Sequence, residues 1–220
     1  TAQDTGHIAS ETVTINQKQI NMKKSNKTLW IVLGLIAVLV LWLWSGYNGM
    51  VGKQEVATTA LADVQATYQR RADLIPNLVN TVQAYAKHEK STFAEVAKAR
   101  SAASQIKLSE NASPQQLRQF EQAQGELTQA LGKLMVVVER YPELKADQNF
   151  HSLQIQLEGT ENRINEARQK YNEAVQQYNL SVRRFPNVLV AGMFGFDRME
   201  KFQATAAAQQ APVVKFGDDI

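Results

Sequence analysis

Apolar and polar positions along this chain follow two different rules. From Leu29 to Trp44, "LWIVLGLIAVLVLWLW" runs without a single charge. Beyond it, apolar residues recur at alternating steps of three and four. Leu61, Val64, Tyr68, Ile75, Leu78, Val82 and Tyr85 form one such seam, with Arg71 or Ala72 at the missing step. Leu117, Phe120, Leu127, Leu131, Leu134, Val138 and Tyr141 form a second, with Gln124 as its polar member. Leu153, Leu157, Ile164, Ala167, Tyr171, Ala174 and Tyr178 form a third, with Thr160 inside it. A repeat of about 3.5 residues marks helices that pack side by side at shallow angles. Strand-like alternation is absent. The pattern predicts an all-α protein, a single N-terminal transmembrane helix followed by an antiparallel (four-)helix bundle.

The stops between seams are legible. Ser113-Pro114-Gln115-Gln116 reads as an N-cap, a proline at the first helical position and a capping-box Gln. Thr92 with Glu95 offers a weaker box near "KHEKS". "YPELKAD" ends the second seam at Pro142 and "RFPN" the third at Pro186, because proline lacks the amide and restricts the residue before it. Four helices are therefore expected after the membrane, over 47–90, 92–108, 114–141 and 148–185. Pro76 falls in the interior of the first, where proline costs about 3 kcal/mol. Either the helix bends there or a neighbouring polar group takes the freed carbonyl; a candidate hinge at Pro76 is the alternative to a curved helix.

Sixteen residues at about 1.5 Å each give roughly 24 Å, and extension to Val51 reaches the roughly 30 Å of a bilayer core. Leu29 and Trp30 stand at one end, and Trp42, Trp44 and Tyr47 at the other, where an aromatic belt lies. "WSGYNG" after the run has no small-x-small cleavage pattern, so a retained anchor is expected rather than a cleaved signal. Lys23, Lys24 and Lys27 precede it, and only Lys53 follows closely. That bias predicts a cytoplasmic N-terminus, a periplasmic helical domain and residence in a bacterial inner membrane. The expected organisation is 1–21 as a disordered arm or non-native extension, 22–28 as a basic flank, 29–51 as the anchor, 52–200 as the bundle and 201–220 as a flexible tail.

If successive helices alternate in direction, the chain after Phe185 returns toward the bilayer. "VLVAGMFGF" is far too short to span it. It either docks on the base of the bundle or dips into the lipid interface, which makes Val188, Leu189, Met193, Phe194 and Phe196 candidates for a membrane-proximal contact.

Charge adds little. The chain holds 24 Lys and Arg against 21 Asp and Glu, and after Leu29 the balance is 20 against 19. Arg70-Arg71 and Arg183-Arg184 are isolated pairs that read as solvated helix-face residues, so no nucleic acid is expected as partner. With no Cys, disulfides and thiolate chemistry are excluded. His7, His88 and His151 are far apart, and no HExxH, Glu-x-x-His or phosphate-binding loop occurs. Glu158, Glu161 and Glu166 lack the His partners of a di-iron site, so no metal or cofactor is expected. Asp147, one turn before His151, reads as a helix cap, and Asn162, Asn165, Asn172 and Asn179 as structural residues on the last helix.

"RRADLIPNLVNTVQAYAKHEK" and "YPELKADQNFHSLQIQLEGTENRINEARQKYNEAVQQYNLSVRRFPNVLVAGMFGF" closely resemble the LemA family of bacterial membrane proteins. The resemblance runs from about Tyr47 to Phe202, with the Tyr-Pro-x-Leu-Lys-Ala, Leu-Glu-Gly-Thr-Glu-Asn and Phe-Pro elements in order. It implies one membrane helix before an antiparallel helical bundle, no established enzymatic activity, and a TPM-domain membrane protein as a candidate partner. The expectation is a non-enzymatic scaffold that binds membrane lipid through its anchor, and protein partners or its own copies through its bundle. The alternative is a bundle that binds a small molecule or lipid as accessory to an envelope enzyme, motivated by the apolar C-terminal stretch and by Arg71 at a core-like step.

Overall fold

The computed structural model of the chain describes residues 3–109 and 112–203, those before Lys27 by backbone alone. Among these residues six helices follow in order: α1 (Gln3–Tyr85), α2 (Lys90–Gln105), α3 (Pro114–Glu139), α4 (Pro142–Lys145), α5 (Gln148–Arg183) and α6 (Asn187–Phe194). Among the described residues there is no strand. Contacts divide the chain into two compact units, Thr1–Gly49 and Met50–Ile220.

In the first unit α1 is helical from Gln3, although residues 1–21 show no apolar periodicity. Within it lies the one described helix segment long and apolar enough to cross a membrane, with a mean hydropathy of 2.3 over its best window and none of that window buried. Leu29, Trp30, Trp44 and Tyr47 are exposed, and Trp42 is half-buried.

In the second unit, the seams face inward as their spacing requires. Leu61, Val64, Ile75, Leu78 and Val82 of α1 are buried, as are Leu117, Phe120, Leu127, Leu134 and Val138 of α3, and Ile164, Tyr171 and Tyr178 of α5. At the seam ends burial lapses: Tyr85 is exposed, and Tyr141, Leu153 and Leu157 pack on the core only in part. Side-chain contacts fix the helix directions. Arg100 of α2 reaches Ala72 of α1, and Gln65 of α1 reaches the Leu108 amide past the end of α2, so α1 and α2 are antiparallel. Gln124–Ala103 and Lys133–Glu95 make α2 and α3 antiparallel. Arg71–Glu161 and Tyr85–Asp147 do the same for α1 and α5, and Arg168–Glu121 belongs to the α3–α5 face.

Caps explain the boundaries. Ser113 accepts a hydrogen bond from the Gln116 amide (3.2 Å), and the Gln116 side chain accepts one from the Ser113 amide (2.9 Å), the capping box expected there. α5 begins where Asp147 accepts from the Phe150 amide (2.9 Å), and ends before Pro186. α2 starts at Lys90 rather than at a Thr92 cap, with no side-chain cap bond. Glu95, which that box needs, instead forms an ion pair with Lys133 at 2.6 Å.

Pro76 lies inside α1, which continues through it. Its missing amide frees the carbonyl four residues earlier, on Ala72, and Arg100 Nε donates to that oxygen at 2.7 Å. The neighbour that takes up the carbonyl comes from α2, so a local defect in one helix becomes the attachment point of the next.

Replacing Arg100 with Met keeps the apolar stem and removes the donor. The expected loss of stability is about 1–3 kcal/mol, read by urea unfolding of the full-length protein in detergent. In a Pro76→Ala background, where the amide is restored, the loss should fall by at least half. Equal losses in both backgrounds would show that Arg100 does not serve the carbonyl Pro76 frees.

Candidate functional site

Among the described residues four polar side chains are buried: Arg71, Gln124, Thr160 and Ser181. Three of them are the polar interruptions of the seams. Arg71, at 6% exposure, is not the solvated helix-face residue that its pairing with Arg70 suggests. Its Nη2 donates to Thr128 Oγ1 at 3.1 Å, and its Nη1 stands 3.1 Å from Glu161 Oε2. Thr128 in turn donates to the Gln124 carbonyl, and the Gln124 side chain donates to the Ala103 carbonyl at the edge of range, 3.4 Å. One polar layer therefore joins α1, α3, α5 and α2. Thr160 and Ser181 donate to carbonyls of their own helix, Gln156 and Tyr178. No buried side-chain nitrogen or oxygen among the described residues lacks a partner.

A second constellation lies along α5. After α6 the chain turns at Gly195, whose φ of 72° is a left-handed conformation that glycine adopts without strain. Residues 196–203 then run without helix, back along α5. Asn179 Nδ2 donates to the Met199 carbonyl (2.8 Å) while its Oδ1 accepts from the Met199 amide (3.0 Å). Asn172 repeats the pair on Phe202, at 3.0 and 2.9 Å. The hydroxyls of Tyr178 and Tyr171 donate to the carbonyls of Asp197 (2.9 Å) and Glu200 (2.8 Å).

The repeat has a geometric cause. Seven helical residues rise about 10.5 Å, and three residues of extended chain span about 10 Å. A Tyr-Asn pair every heptad thus meets the same backbone groups every third residue of the strap. The side-chain amide supplies the donor and acceptor that a neighbouring strand would supply. Phe202 ends the strap in a slot of aromatic edges, 5.2 Å from Tyr171 and 6.3 Å from Phe120, with the Arg168 guanidinium 5.0 Å from its ring. Arg168 also pairs with Glu121 and donates to the Gln203 carbonyl. Phe202 is buried, so contacts with α5 extend into the segment expected as tail from 201; the remainder, 204–220, lies outside the described residues.

Environment shifts several of these groups. Burial pushes the Tyr171 phenol up to about 12, with the Glu200 carboxylate adding to the effect. Tyr178 is raised by burial and then by Asp197. Burial also raises Glu121, against the opposing pull of Arg168. Asp147 is lowered, first by the Phe150 amide and then by the Tyr85 hydroxyl.

Of the expected membrane-proximal residues, Val188, Leu189, Met193 and Phe194 are exposed on or at the end of α6, and Phe196 is half-buried beyond it. Val190 and Ala191 are the α6 residues that bury. Among the described residues no group of three His, Asp or Glu converges as a metal site. Two partly enclosed recesses hold about 250 and 280 Å³, just under the roughly 300–1,000 Å³ typical of ligand pockets. Wider depressions of about 500–580 Å³ are open grooves lined by Lys, Arg, Glu and Gln. Arg71, one motive for expecting a pocket, contacts Thr128 and Glu161 instead.

Asn179→Ala should release the strap, speeding hydrogen exchange at Met199 far more than at core amides and costing about 1 kcal/mol. Asn179→Asp keeps the acceptor and loses the donor, so it should give an intermediate effect. Unchanged exchange at Met199 in both variants would contradict the clamp.

A second expectation concerns alkaline pH. Unfolded tyrosine ionises near 10.0, whereas folded Tyr171 holds its proton to about 12. Above pH 10 the unfolded state therefore binds fewer protons, and stability falls as pH rises toward 12. In Tyr171→Phe that decline should be shallower, measured by urea midpoints across the range; an unaltered slope would contradict it.

The LemA family model matches residues 60–216. No match was found among curated proteins. The family match covers more than half of the chain, including all three seams, the Tyr-Asn clamp and its strap, and on that ground the chain belongs to the LemA family.

Proposed function

We propose that this protein is a non-enzymatic scaffold, an antiparallel four-helix bundle anchored by Leu29–Val51 in a bacterial inner membrane and holding protein partners or its own copies in the extracytoplasmic space. The observation that carries the reading is the use made of its buried polar groups. Arg71, Gln124, Thr160 and Ser181 are engaged in contacts within and between helices, and Asn172, Asn179, Tyr171 and Tyr178 in binding the chain's own strap. The side chains best placed for chemistry thus serve the fold. Long helices then offer outer faces to partner helices, and exposed Val56 and Ile155 are apolar points on such faces.

Anchoring is supported by the charge-free run, its aromatic ends and its exposure. The three Lys before it, against Lys53 after it, support a cytoplasmic N-terminus. A TPM-domain membrane protein, implied by the family resemblance, is the first partner to seek.

Affinity purification from native membranes in mild detergent, with mass determination of the intact complex, tests the reading. A stoichiometric protein partner or a defined homo-oligomer is the expected result. A lone monomer carrying a bound lipid or metabolite would replace the scaffold with the accessory-pocket alternative.

A further inference from the structure

α6 presents a physical anomaly. After Asn187 its seven residues, "VLVAGMF", are apolar or small around the whole helix, and such helices belong in a core or in lipid. Val190 and Ala191 supply one face to the fold, while Leu189 and Met193, one turn apart, face away at 57% and 70% exposure. Val188 lies beside them, and Phe185, just before the helix, is 82% exposed. Exposed apolar side chains therefore recur from the turn through the helix.

Its position and its charges say what covers it. Gln54 lines the same recess as Gly195 and Phe196, so the end of α6 lies at the level of Gln54 in α1. Gln54 is three residues beyond Val51, where the expected anchor ends, and Met50 of that run is fully buried in the second unit. The covalent path from the apolar run to the level of the patch is thus about one helical turn. Arg183 and Arg184 directly precede Phe185, exposed, and neither forms an ion pair among the described residues, whereas exposed Asp197 and Arg198 beyond Phe196 offset each other in charge. An apolar face led in by two such arginines complements an anionic lipid surface, where apolar side chains sink about 5–10 Å and cations meet headgroups.

We propose that α6 and Phe185 form a second membrane contact, an interfacial wedge that inserts Phe185, Leu189 and Met193 into the leaflet from which α1 emerges, with Arg183 and Arg184 on anionic headgroups. The inference rests on the anchored reading above. A second contact restrains the orientation of the helical body to the membrane, which a single helix leaves free to swivel.

The chain has no Cys, so one introduced Cys labels one position. Spin labels at Leu189→Cys and Met193→Cys, in full-length protein in nanodiscs with about one-third phosphatidylglycerol, report accessibility to oxygen against a water-soluble nickel chelate. Leu35→Cys marks the anchor, and Val136→Cys, exposed on α3, marks water. The expected result is several-fold greater oxygen than nickel accessibility at Leu189 and Met193, resembling Leu35 and opposite to Val136. Nickel accessibility at both, with Leu35 still in lipid, would overturn this inference alone; nickel accessibility at Leu35 would overturn the anchor itself. Protection from both reagents would mean a protein covers the patch, and would equally overturn the proposal. Immersion that is the same in purely zwitterionic nanodiscs would overturn the role given to Arg183 and Arg184.

Discussion

Arg71 places a guanidinium at a position nearly sealed from water, and the arrangement of the long helices follows from accommodating it. A charge in such a place is tolerated only where partners stand on more than one side. Here Thr128 comes from α3 and Glu161 from α5, while Gln124, one turn before Thr128, reaches the α2 backbone. Apolar seams alone leave neighbouring helices free to slip by a turn at modest cost, because one Leu fits the place of another. A slip of one turn moves Glu161 or Thr128 about 5.4 Å away from Arg71. The polar layer thus selects one register out of several that the seams would accept. The Arg100 contact to the carbonyl freed by Pro76 does the same for α1 and α2, at Ala72, the residue after Arg71.

With directions set, Tyr178 in the last turns of α5 lines one recess with Gln54, and the rest of the chain has its place. The strap returns along α5 because Tyr171-Asn172 and Tyr178-Asn179 offer it hydrogen bonds at matching steps. Phe202 closes the groove between α3 and α5 and links, through Phe120, to Tyr68 of α1. The strap is therefore a fifth packed element without secondary structure of its own, and it carries α6 at its other end.

What was legible in the sequence, and what was not, divides along the range of the interactions. Seams, capping boxes and proline stops depend on residues within a few positions of each other, and Leu61 to Val82, Ser113–Gln116 and Asp147 stand as their spacing indicates. Arg71 and Gln124 were visible as interruptions, but their partners lie on other helices, 21 residues away for Gln124 and 57 or more for Arg71, beyond what periodicity can report. The dipeptide Tyr-Asn repeated seven residues apart was on the page as well. Its meaning was hidden because the ligand of that repeat is a stretch with no pattern, and Asn on a helix usually serves register rather than a strap. Residue 201 looked like tail for the same reason: Phe202 is a lone aromatic with no seam around it.

A double-mutant cycle between Arg71 and Glu161 tests the polar layer most directly, with unfolding of the full-length protein in detergent as the measure. Glu161 is half-exposed, so Glu161→Ala should cost about 1–3 kcal/mol rather than the roughly 3–5 of a fully buried pair. Once Arg71→Leu has removed the charge, deleting Glu161 should cost little, and the double variant should be no less stable than Glu161→Ala alone. Costs that simply add would contradict the account, since Arg71 would then be held by something other than the layer that fixes the helices.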